Sequence, residues 1–161
     1  MSLSFNSRGF IKPYTKIESS VFEIEEVFVG PFPHSETRQL IFDNYLNYLD
    51  EFQRLITFNF THWLDGSFMS KKIDPNDLDF VAFIDYRIYE QKEEQIFRIV
   101  EKYGYLKLDN FVSQIFPINH PDTPKWNIFN SIGQIYFRSL DVTPKRIFNY
   151  RAGLLKSFFK H

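Results

Sequence analysis

The segment that most constrains this chain is Asp77-Leu78-Asp79-Phe80-Val81-Ala82-Phe83-Ile84, an acid–apolar–acid triplet running into an unbroken apolar stretch. A short apolar run rich in aromatic and β-branched residues predicts a mostly buried strand. Side chains alternate along a strand, so Asp77 and Asp79 point to one face while Leu78 and Phe80 enter the core. The sheet built around this strand has to accommodate two neighbouring carboxylates.

Upstream, Thr57 to Leu64 alternates aromatic and polar residues and ends in Asp65-Gly66-Ser67, which predicts a strand running into a turn. Ser35 stands as an N-cap before Glu36–Ile56, where Leu40, Ile41, Tyr45, Tyr48, Leu49, Phe52 and Ile56 recur at helical spacing. A second helix is expected over Tyr89–Tyr103, closed by Gly104. A third strand falls between Tyr105 and Phe116, centred on Leu106–Phe111, and Trp126–Leu140 predicts a further helix.

One core suits 161 residues, so a single domain over 1–161 is expected. Aromatic residues make up 19% of the chain, twenty of them Phe, which supplies ample core material and argues against disorder. The absence of cysteine excludes disulfides, thiolate metal sites and cysteine nucleophiles. A formal charge of −1 excludes a strongly basic, non-specific nucleic-acid binder but not a small nucleotide held by metal ions. The charge is uneven: residues 142–161 carry Lys145, Arg146, Arg151, Lys156 and Lys160 with no acid, a solvated end or a surface for phosphate or a partner. Met1 to Gly9 lacks the pattern of a secretory signal, and charged residues interrupt every apolar run. A cytoplasmic protein with no membrane contact is therefore expected.

Asp77 and Asp79 stand roughly 7 Å apart along a strand and can converge on one site. Unpaired, they repel one another; magnesium removes the conflict because it prefers carboxylate oxygen and is shared with substrate phosphates. Gly66 lets backbone approach a phosphate, and turn amides with the Ser67 hydroxyl can hold its oxygens. A carboxylate pair facing a phosphate-holding turn suits nucleotidyl transfer, in which a hydroxyl attacks the α-phosphate of a nucleoside triphosphate beside two metal ions. Lys71 and Lys72, between the two halves, either screen triphosphate charge or belong to a solvated loop. A calcium loop over Asp74, Asn76 and Asp79 is rejected because its central glycine and terminal glutamate are missing. His62 and His120 are too isolated for a metal set, and His62 reads as a packed strand residue.

Gly66-Ser67, an eleven-residue step from Gly66 to Asp77, and Asp77-Leu78-Asp79-Phe80 resemble the Gly-Ser and Asp-apolar-Asp pattern of the DNA polymerase beta nucleotidyltransferase superfamily. More narrowly, Ser67-Phe68, Asp74-Pro75-Asn76-Asp77, Asp109 and His120-Pro121 look like a small bacterial nucleotidyltransferase-like family of unknown function. The resemblance covers roughly residues 35–140. It implies an α/β (α+β) fold, a short mixed sheet flanked by helices, with Asp77 and Asp79 binding two Mg2+ ions and Gly66 and Ser67 holding triphosphate. It also implies a third acid. Asp109 on the next strand is preferred to Asp85, which lies roughly 20 Å along the strand from Asp79. Related small proteins are associated with toxin–antitoxin or antiphage modules, in which they modify a protein partner or extend a nucleic acid. The expected activity is transfer of a nucleoside monophosphate to a hydroxyl of such an acceptor, with a protein partner or oligomer supplying selectivity. The alternative is an inactive binding or regulatory module of the same fold.

Overall fold

The computed structural model describes residues 4–12 and 17–115. Along the chain, β1 (Ser4–Phe5) and β2 (Ile11–Lys12) form an antiparallel hairpin, followed by α1 (Val21–Phe28) and α2 (Arg38–Leu55). β3 (Thr61–Asp65), a single 3-10 turn (Ser67–Met69), β4 (Leu78–Asp85), α3 (Tyr86–Gly104) and β5 (Leu108–Ile115) complete it. The sheet order is β3-β4-β5, with β3 antiparallel and β5 parallel to the central β4. Parallel neighbours need a crossover, and α3 supplies it. The described residues thus form a mixed α/β architecture, a short mixed sheet with helices, as expected. The predicted helix Trp126–Leu140, the His120-Pro121 motif and the basic segment 142–161 lie outside the described residues.

Central position explains why β4 is apolar on both faces. Leu78, Phe80, Ala82 and Ile84 join the main core with Leu108 and Val112, packed with residues of α2 and α3. Phe80 receives the edge of Tyr48 at a centroid distance of 4.8 Å, and Tyr48 also meets Phe52 and Tyr103. Val81 and Phe83 face the other way and cluster with Trp63, Phe111 and Ile115. Each such fully buried side chain is worth about 1.5–3 kcal/mol relative to exposure.

Element ends differ from expectation for local reasons. α2 begins at Arg38 rather than Glu36. Thr37, not Ser35, is the N-cap and makes no side-chain cap bond, while Ser35 Oγ accepts from the amides of Thr37 (3.3 Å) and Arg38 (3.1 Å) just before the helix. β3 begins at Thr61, not Thr57, because Thr57 still bonds back to the Phe52 carbonyl at the end of α2. α3 starts at Tyr86, where Asp85 accepts from the Arg87 amide, and Gly104 is its last residue rather than the residue that turns the chain. The left-handed position is taken by Lys107 (φ 65°), just before β5. α1 is opened by a reciprocal capping box between Ser20 and Glu23, which the sequence reading passed over, as it did the β1–β2 hairpin. No helix among the described residues is long and apolar enough to cross a membrane.

Candidate functional site

Three aspartates stand in register across the sheet. Asp65, the last residue of β3, pairs with Asp79 of β4, and Asp79 pairs with Asp109 of β5. Directly paired residues share a face with Cβ atoms about 5 Å apart. The row lies on the face opposite Phe80 and Leu108, the one that also carries Trp63, Val81 and Phe111. Asp77, two residues before Asp79, is close enough for its charge to act on Asp109. The structure therefore brings Asp77, Asp79 and Asp109 near one another at one end of the sheet.

Partial withdrawal from water and then the charge of Asp77 push the Asp109 carboxyl above the ordinary range, and a hydrogen bond with Asp79 offsets part of this. Burial likewise raises Asp65, against a hydrogen bond from the Gly66 amide.

Gly66 is bound to this row by shape. Its φ of 84° and ψ of −165° fall in a region that only glycine occupies readily. A Cβ built there would lie 1.7 Å from Oδ2 of Asp79, so the Asp79 carboxyl fills the space a side chain would need. The Gly66 amide already donates to Asp65, so holding a phosphate there requires that bond to be exchanged. Ser67 opens the 3-10 turn next to it, and its carbonyl accepts from the Ser70 hydroxyl at 2.7 Å.

The remaining candidates have other surroundings. Asp85 is taken up by α3, accepting from the Arg87 amide and pairing with its guanidinium at 2.7 Å. Lys71 and Lys72 are exposed; the Lys71 ammonium lies 5.5 Å from the Phe5 ring centroid, and its amide donates to the Gly9 carbonyl. His62 is enclosed among aromatic rings, with Nδ1 2.9 Å from the Tyr45 hydroxyl. Two neighbours of the site went unread in the sequence. Asp65 passed for a turn residue, although its place at a strand end beside Gly66 was a usable signal. Arg38 reads as an ordinary position on the helix surface, yet it is 1% exposed and bonds the segment that follows Ser67.

Among the described residues, no group of three or more His, Asp or Glu side chains is arranged to hold a metal ion as it stands. The donor chemistry nevertheless fits a hard cation. The row offers carboxylate oxygens, which magnesium prefers, and a cation there would relieve the repulsion between neighbouring carboxylates.

The chain matches the family model described as "Family of unknown function (DUF6932)" over residues 3–140. It belongs to that family. No curated protein and no solved structure matches it.

Proposed function

We propose that this member of the DUF6932 family is a metal-dependent nucleotidyltransferase of the polymerase beta type, moving a nucleoside monophosphate from a nucleoside triphosphate to a hydroxyl of a protein or nucleic acid. The observation that carries the reading is the meeting of Asp77, Asp79 and Asp109 beside Gly66, whose missing side chain makes room for the Asp79 carboxyl. An acidic cluster with no substrate in view would be a poor use of one end of a sheet, since like charges there oppose folding. A mixed sheet with the Gly-Ser turn leaving one strand and the acid pair opening the next also supports it.

In this reading Asp77, Asp79 and Asp109 would hold Mg2+, which would neutralise phosphate charge and make the acceptor hydroxyl easier to deprotonate. Ser67, with the Gly66 amide once exchanged from Asp65, would hold the phosphate chain. Lys71 and Lys72 lie in the exposed loop downstream, where they would screen its charge. The acceptor oxygen bonds to the α-phosphorus while the bond from that phosphorus to the bridging oxygen breaks. Pyrophosphate leaves with the electron pair, and the hydroxyl proton passes to solvent. The chain contributes alignment and fixed charge, with no covalent intermediate.

The test is incubation with labelled nucleoside triphosphates, Mg2+ and candidate acceptors. Label transfer should be lost in Asp77→Ala/Asp79→Ala and fall by a factor on the order of 100 or more in Asp109→Asn. Equal labelling by wild type and the double variant would end the assignment. The second reading is an inactive binding module of the same fold. Partner binding that ignores both Mg2+ and the acid pair would select it.

A further inference from the structure

We propose that Arg38 is the positioning residue of this site, holding in place the segment that joins the Gly66-Ser67 turn to Asp77; this rests on the nucleotidyl-transfer reading. Arg38 is 1% exposed and spends every guanidinium N–H on backbone carbonyls. Nη1 donates to Phe28 (2.7 Å) and Phe68 (2.8 Å), and Nη2 donates to Ser70 (2.7 Å) and to Lys72. Nε is shared between Lys72 (3.1 Å) and Ile73 (3.2 Å). Phe32 and Phe68 lie against the guanidinium, its carbon 4.0 Å and 5.2 Å from their ring centroids.

Four of these five carbonyl partners belong to residues 68–73, directly after Ser67. The residues around Arg38 secure the rest of the segment. Asp74 Oδ1 accepts from the Ser35 hydroxyl (3.0 Å) and the Glu36 amide (2.8 Å), and the Thr37 hydroxyl donates to the Pro75 carbonyl (2.8 Å). The start of α2 thus grips the whole stretch from Phe68 to Pro75, whose two ends are the proposed phosphate turn and the first acid.

Such a grip needs an arginine. The planar guanidinium presents five donors in a fixed fork, whereas a lysine ammonium offers three from a single point. Among the described residues no carboxylate forms an ion pair with Arg38, and the charge of Asp74 acts on it from a distance. A buried cation answered only by carbonyls is an expensive device for mere stability, because apolar packing would serve as well. It suits a segment that is anchored in the core at Phe68 and Pro75 but exposed from residue 71 to 74, where the backbone must still hold one conformation.

The experiment measures calorimetric binding of Mg2+ with a non-hydrolysable nucleoside triphosphate, together with amide exchange, on the full chain. Wild type is compared with Arg38→Lys and with Thr37→Val/Asp74→Ala, which leaves the guanidinium in place and keeps the test alive if Arg38→Lys fails to fold. Amides of Met69 and Lys71 should lose protection in both variants while β4 and β5 keep theirs. Triphosphate affinity should fall on the order of 10–100-fold. In turnover the loss should appear in KM more than in kcat, and Arg38→Lys should retain more affinity than Arg38→Met. Undiminished affinity in the variants, with wild type binding, would overturn the positioning role alone. No triphosphate binding by wild type would overturn the functional reading, and the positioning role with it.

Discussion

At the scale of single residues, the site depends on one missing side chain. A methyl group on Gly66 would stand 1.7 Å from Oδ2 of Asp79, and the backbone there is already at φ 84°. Gly66→Ala should therefore cost about 1–3 kcal/mol in strain and, more tellingly, expel the Asp79 carboxyl from its place beside Asp109. Label transfer should drop on the order of 100-fold while the melting curve stays cooperative. Wild-type transfer by a folded Gly66→Ala protein would show that this position of Asp79 is not used. Much of the acid row was legible beforehand. Asp77 and Asp79 declare a common face through strand alternation, and Asp109 is reached as the acid on the next predicted strand. Arg38 was illegible because its partners are carbonyls some thirty residues away, and a carbonyl has no identity in a sequence.

At the scale of elements, α3 shows how a correct helix can be read with the wrong ending. Gly104 looked like the residue that ends the helix, but it remains helical, and a Cβ there meets nothing within 4 Å. The turn into β5 is made by Lys107, a residue no propensity scale selects for a left-handed backbone. Gly104→Ala should therefore stabilise the protein by about 0.5–1 kcal/mol, seen as a higher urea midpoint with an unchanged slope. A lower midpoint would mean that the glycine is needed for the exit after all. β3 was misread in the opposite direction. Its aromatic–polar alternation extends upstream to Thr57, but the chain there is still tied to the end of α2 through the Thr57 amide and the Phe52 carbonyl, and pairing with β4 starts only at Thr61 opposite Phe83. Pairing partners set strand length, and they are not visible in one segment read alone.

At the scale of the whole molecule, one cluster of aromatic side chains among the described residues joins α2, the sheet and the end of α3, with a histidine at its centre. The His62 ring lies 4.6 Å from Phe60, 5.1 Å from Phe80 and 5.6 Å from Tyr48, centroid to centroid. Nδ1 meets Tyr45, while buried Nε2 has no partner. Burial holds its pKa down to about 3, whereas an unfolded imidazole titrates near 6.5. Below pH 6.5 the unfolded chain takes up a proton that the folded chain refuses. His62 therefore favours the fold fully above that pH, and the advantage is lost as pH falls toward 3, at about 1.4 kcal/mol per unit. Asp65 and Asp109, raised in the fold, act with the opposite sign and blunt the net slope, so the comparison must be made against a variant. His62→Phe keeps the aromatic packing and leaves the Tyr45 hydroxyl without its histidine partner, costing about 1–3 kcal/mol at neutral pH. Between pH 6.5 and 4.5 wild type should lose about 2.3 kcal/mol more than His62→Phe, measured by urea unfolding at each pH. Parallel curves for the two proteins across that range would mean that His62 accepts a proton inside the fold and that the cluster opens to admit water.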